Sequence, residues 1–257
     1  MAVYSYSKLQ TYEQCALRYK FKYIDKILVE IEETIEGFLG KCVHSALDFL
    51  YKEKMQERLI DINVLIDFYL KTWRENFDPK ILIVKNLKAE DYFNKGIKFL
   101  SSYYSRNYPF EEQTLSTERR ITMDLDGKSK IIGFIDRLSY NLKEDVYEIH
   151  DYKTGNLKTS RQLEFDRQLA LYSLALKEEL GDGREILLIW HYLDHDEKIV
   201  LKKTGEQLEK LKRQVLELIN EIEHATTFPY NKGPLCSWCE FRSICPVWVK
   251  QKSLFDF

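Results

Sequence analysis

No stretch of this 257-residue chain approaches the length of apolar run that spans a bilayer, which argues against a helical membrane protein. The opening residues, Met1-Ala-Val-Tyr-Ser5, lack the basic-then-apolar form of a secretory signal, so the expected compartment is the cytoplasm. Net charge is nearly missing too. With 39 Lys and Arg against 41 Asp and Glu, the balance is −2, and no global basic field points to nucleic acid. A nucleic-acid path would rest on local clusters such as Arg18, Lys20 and Lys22, or Arg119 and Arg120, which read equally well as solvated surface. Paired cysteines are lacking as well. Five of them, in a chain expected to be cytoplasmic, argue against a disulfide framework and for a metal or cluster site. What is present is 44% apolar residues, enough for a sizeable core in one globular domain over 1–257.

The rest of the chain is organised around two strand-like stretches, Gly133-Phe-Ile-Asp136-Arg-Leu-Ser-Tyr140 and Val146-Tyr-Glu-Ile-His-Asp151-Tyr-Lys153, joined by the polar turn 141–145. Acids appear where the apolar positions thin out at the strand ends. Alternation puts Asp151 and Lys153 on one face, with Tyr152 pointing away. Asp136 and Asp151 brought together on adjacent strands would repel one another without a cation between them, and a hard divalent ion takes oxygen ligands of this type. Lys153 would then orient or activate a water beside the ion. Glu118, on the preceding strand, reads as a further solvated acid within reach of this site.

Upstream, Ser5 to Ser7 predicts a helix start, and the pattern Leu9, Tyr12, Cys15, Leu17, Tyr19 predicts one helix over 8–25. Gly37 and Gly40 precede a second helix expected from Lys41. It carries His44, which by itself reads as a packed core histidine, and Cys42, which reads as a small buried residue. Aromatics at helical spacing over 48–110 predict a helical insertion, interrupted at Asp78-Pro79. Asp126-Gly127 signals a hairpin before the strand of Asp136. After Gly155, a helix over 161–180 places Gln168 and Tyr172 on one face. Strands at 185–193 and 198–202 follow, and Thr204-Gly-Glu-Gln207 is a capping box opening a helix to about Ala225. His191, His195 and His224 carry no pattern and receive no role. The last segment, 227–250, holds Cys236, Cys239 and Cys245 in C-x2-C-x5-C spacing. Three thiolates so placed close around one centre, with Cys15 free to be the fourth, and either zinc or an iron–sulfur cluster suits them.

Taken together, these motifs resemble the RecB-like branch of the PD-(D/E)XK nuclease superfamily, and within it AddB nuclease domains and CRISPR-associated nucleases. The matching elements are Gly40-x-x-Val-His44-x-x-Leu47, Gly133-x-x-Asp136, Asp151-x-Lys153, Gln168-x-x-x-Tyr172, and Cys15 paired with the C-terminal cysteines. Where that branch usually has proline after the first cysteine, this chain has Ala16. The resemblance implies an α/β fold with a restriction-endonuclease-like core: a central mixed β-sheet flanked by helices, plus the helical insertion and the cysteine cluster. It implies magnesium or manganese held by His44, Asp136, Asp151 and the carbonyl of Tyr152. It makes Asp136, Asp151 and Lys153 catalytic, with Gln168 and Tyr172 positioning Lys153 or a phosphate. It favours a 4Fe–4S cluster on Cys15, Cys236, Cys239 and Cys245. The implied activity is hydrolysis of DNA phosphodiesters, on single strands or duplex ends, with protein partners in DNA repair or CRISPR adaptation. Two other classes share parts of the pattern: a DNA-binding module with a silent nuclease fold, and a redox sensor built on the cluster.

Overall fold

The computed structural model of the protein describes residues 1–29 and 33–252, with side chains as far as Val249. Residues 253–257 of the expected single domain lie outside the described residues. The strands form where alternation and turn chemistry agree. Strand β2 (Gln113–Asp124) turns into β3 (Ser129–Asn141) through carboxylates that cap the loop. Asp124 accepts from the amides of Asp126 and Gly127, Asp126 accepts from those of Lys128 and Ser129, and Gly127 takes φ +78°. Strand β4 (Val146–Lys153) pairs antiparallel with β3. It pairs parallel with β5 (Ile186–Tyr192), which pairs antiparallel with β6 (Glu197–Lys202). A short strand β1 (Ala2–Tyr4), not foreseen in the sequence, runs parallel to the start of β3. β2 occupies one edge of β3 throughout, so β1 and β4 share the other. The result is a mixed six-stranded sheet with helices on both faces, the α/β architecture expected of a restriction-endonuclease-like core.

One layer is built from α1 (Tyr6–Gln14), α7 (Gln168–Leu180) and α8 (Gly205–His224). Leu208, Leu211, Val215, Ile219 and Ile222 repeat every three or four residues, so α8 buries one stripe against α7 and α1. The other layer holds α3 (Ile35–Met55), α4 (Ile62–Asn76) and α5 (Ala89–Asn107). Their aromatic faces form a second core that takes in Tyr152 and Leu193 from the sheet.

Three element boundaries differ from expectation, each for a local reason. The first predicted helix breaks at Cys15, whose backbone is extended, before the short α2 (Ala16–Tyr19) and a π-turn at Lys20–Ile24. Pro229 to Asn231 repair the break: the Pro229 carbonyl accepts from Leu17 N–H, and Asn231 Nδ2 donates to the Gln14 carbonyl at 3.1 Å. Gly37 and Gly40 lie inside α3, not before it. Thr34 caps the helix by accepting from Gly37 N–H, and a Cβ on Gly40 would stand 3.3 Å from Thr154 Oγ1, so this glycine lets α3 approach the end of β4. The helix predicted over 161–180 is two pieces, α6 (Ser160–Glu164) and α7, parted at Phe165–Arg167. Asp166 Oδ1 accepts from Gln168 N–H at 3.0 Å and starts α7 anew.

Among the described residues, no helix is long and apolar enough to cross a membrane.

Candidate active site

Pairing between β3 and β4 reaches from Asn141–Val146 to Arg137–His150 and ends there. Beyond that point the strands part, and the Asp136 carboxylate fills the opening, its Oδ2 accepting from Tyr152 N–H at 2.9 Å. From the opposite side, α3 delivers His44. Its Nδ1 stands 3.4 Å from Asp136 Oδ2, and its Nε2 lies 2.6 Å from the Tyr152 carbonyl, to which it donates. Sequence-predicted ligands His44, Asp136 and the Tyr152 carbonyl are therefore neighbours, with Asp136 at Nδ1 of the imidazole and the carbonyl at Nε2.

Asp151 faces the other way into the same opening, at 3% side-chain exposure. Lys153 Nζ lies 2.9 Å from Asp151 Oδ1 and 2.8 Å from Oδ2, and it donates to Gln168 Oε1 at 2.9 Å. Gln168 is the first residue of α7, which also brings Tyr172 over the sheet one turn later. Gly133 explains how: a Cβ there would overlap the Tyr172 ring, so the glycine of Gly-x-x-Asp clears the space that the tyrosine fills.

The electrostatics follow from burial among like charges. Burial pushes the Asp151 carboxyl upward and the Asp136 charge adds to this, while Lys153 pulls it down; the net direction is up. Burial likewise raises Asp136, but His44 and the Tyr152 amide overcome it and hold the acid below the usual range. Burial alone would lower His44, yet the Asp136 carboxylate raises it to about 9. Lys153 is opposed by burial and carried above its ordinary value by Asp151, so it is an ammonium at neutral pH.

The residues fit a hard divalent ion. Asp151 Oδ2 is buried without a hydrogen bond of acceptable geometry despite the nearby ammonium. The donors around it are carboxylate, carbonyl and imidazole, which suit magnesium or manganese.

One acid that reads in the sequence as solvated is also present. Glu118 offers an oxygen within 4.8 Å of ligand atoms of His44 and Asp136. Behind the site lies a polar core that sequence reasoning missed. Arg137 is fully buried, with its guanidinium 4.2 Å over the Tyr51 ring, donating to Glu112 at 2.6 Å and to His150 Nδ1 at 2.9 Å. That leaves His150 Nε2–H for Ser139 Oγ at 2.7 Å, and His191 stacks on His150 at 5.2 Å. Burial, with Arg137 beside it, drives the His150 pKa well down, so it is neutral. Glu112, Glu148 and His150 also cluster, but Arg137, Ser139 and Asn141 already satisfy them.

The basic clusters considered for a nucleic-acid path are largely spent on ion pairs. Arg18 and Lys22 both meet Glu240, Lys20 meets Asp25, and Arg119 meets Glu179. Cys42 is buried, and burial pushes its thiol up to about 11, in keeping with a packing role. The other four cysteines, Cys15, Cys236, Cys239 and Cys245, line one cavity of about 220 Å³. The amides of Asn231 and Gly233 point at the sulfurs of Cys15 and Cys236, at 3.5 and 3.4 Å.

Comparison with known proteins follows the same lines. No curated protein matches the chain. A protein of Eubacterium rectale provisionally named an exonuclease overlays with TM-score 0.54 and 14% identity, covering 96% of this chain and 86% of its own. A second structure, SSO0001, gives TM-score 0.44 and 14% identity over 95% of this chain and 86% of its own. At this identity the first overlay speaks for the fold alone. The family model of the PD-(D/E)XK nuclease superfamily matches residues 3–246, nearly the whole chain, and the chain belongs to that superfamily.

Proposed function

We propose that the protein is a divalent-metal-dependent deoxyribonuclease of the RecB-like branch, acting on single strands or DNA ends. The observation that carries this reading is the gathering of Asp136 and the Tyr152 carbonyl about the His44 ring, with Asp151 and its paired Lys153 beside it. His44, Asp136, Asp151 and the Tyr152 carbonyl hold magnesium or manganese. Such an ion, when bound, lowers the pKa of a water and polarises a phosphoryl oxygen. Lys153 is held charged by Asp151, so its part is to place the attacking water and offset charge on the phosphorus, not to remove a proton. Gln168 fixes the direction of the Lys153 ammonium, and Tyr172 packs behind it.

The four cysteines hold a 4Fe–4S cluster in this reading. Zinc would suit the same four thiolates. The resemblance to iron–sulfur members of the branch, together with backbone N–H groups aimed at the sulfurs of Cys15 and Cys236, favours the cluster.

The test uses end-labelled single- and double-stranded DNA with magnesium or manganese, resolved on gels. Products that shorten from an end and vanish with EDTA, in protein that keeps its visible absorbance, support the reading. Binding of DNA without cleavage under any divalent ion would leave the silent-fold alternative in its place.

A further inference from the structure

Glu118 sits on β2 between the paired positions Thr117–Arg137 and Arg119–Ile135, opposite Asp136. Its backbone takes φ +45°, a left-handed conformation that non-glycine residues adopt at a cost. One of its carboxylate oxygens comes within 4.8 Å of ligand atoms of His44 and Asp136. A histidine is among the three, so the group is not merely a patch of acids. One buried oxygen near it lacks a hydrogen-bond partner. Asp48 Oδ1 lies one helical turn after His44 on α3, its other oxygen held by Lys52 at 2.8 Å.

We propose that Glu118 is a further carboxylate ligand of the divalent ion held at His44 and Asp136. The assignment rests on the metal-dependent reading above and adds a residue to it. A hard divalent ion takes six or more donors, mostly oxygen, and the four ligands already named leave part of that shell to be filled. A carboxylate approaching from β2 closes the side of the site that β3, β4 and α3 leave open. With the ion bound, the three carboxylates of Glu118, Asp136 and Asp151 face a divalent charge and the Lys153 ammonium, and the set is neutral.

The test measures ion binding in the full-length, cluster-loaded protein without nucleic acid. Manganese is titrated in and the free ion is read by its paramagnetic resonance. Glu118→Gln is expected to weaken manganese binding at least about tenfold, and Glu118→Asp, which keeps the carboxylate on a shorter stem, less than that. Glu179→Gln, an exposed acid paired to Arg119, leaves binding unchanged. Melting in EDTA shows whether each variant is folded. A folded Glu118→Gln that binds manganese within about twofold of wild type overturns the proposal. If Glu118→Gln does not fold, Glu118→Asp decides: weakened binding supports the assignment and wild-type binding overturns it. Cleavage is assayed separately. Manganese binding that depends on Glu118 in a protein that cuts no DNA defeats the nuclease reading alone, whereas cleavage with binding indifferent to Glu118 defeats this assignment alone.

Discussion

A proton on His44 stands where a divalent ion would. Both ring nitrogens face acceptors, Asp136 on one side and the Tyr152 carbonyl on the other, and the pKa near 9 records how well they hold the imidazolium. An ion taken by His44 would compete with that proton and release it. Apparent manganese affinity is expected to rise with pH from about 6.5 to about 9 and then to level off; an affinity flat across that range would remove His44 from the ligand set. Stability of the metal-free protein should move oppositely. The folded pKa lies above the unfolded one, so the stabilisation from the His44–Asp136 pair is complete below pH 6.5 and is lost as pH rises through about 9. His44→Gln should flatten that part of the melting profile. Lys153 supports a second expectation at this scale. Lys153→Ala removes the charge beside Asp151 and should lower the cleavage rate by far more than tenfold, which is about 1.4 kcal/mol of barrier, with little change in melting temperature. A rate within tenfold of wild type in single-turnover assays would sink the catalytic assignment.

Elements explain how much of this could be read from residues alone. The strands carrying Asp136 and Asp151 were legible because alternation, the Asp126-Gly127 turn and acids at the apolar ends all agree. The capping box at Thr204 likewise marked the start of α8, and the helix runs to His224. What stayed hidden depends on partners remote in sequence. The break at Cys15 exists because Pro229–Asn231 dock on it, and no local signal announces that. Arg137, Ser139, Glu148 and His150 read as the polar side of two strands until α3 and α5 cover them and supply Tyr51 and Tyr103. Glu118 looked solvated because its neighbours come from α3 and β3. The clearest element-level prediction concerns β3 against α7. Gly133→Ala drives a methyl into the Tyr172 ring and should cost about 1–3 kcal/mol in urea unfolding. Tyr172→Ala alone empties part of the core. In the double variant the two costs should not add, since each removes the other's clash or void. Strict additivity would mean the ring moves aside freely, and the packing account of Gly133 would fail.

At the scale of the molecule, the cysteine cavity joins the chain's two ends across the sheet. Cys15 lies at the break between α1 and α2, while Cys236, Cys239 and Cys245 lie beyond α8, and Glu240 adds ion pairs to Arg18 and Lys22. A link between such distant positions restricts the unfolded chain strongly, on the order of 5 kcal/mol if the loop-entropy relation for disulfides is applied to a metal link. A metal or cluster held there would be coupled to folding, because its four cysteines come together only when both ends are docked. Cys15→Ser is accordingly expected to lose the cluster and melt well below wild type. The break repaired by Asn231 should loosen with it, since Asn231 N–H points at the Cys15 sulfur. Cys42→Ala, in the buried face of α3, should keep its iron. Anaerobically purified wild type should contain roughly four irons per chain and absorb in the visible. Stoichiometric zinc without visible absorbance would replace the cluster but keep the four-cysteine link. Iron content unchanged in Cys15→Ser would break the link itself.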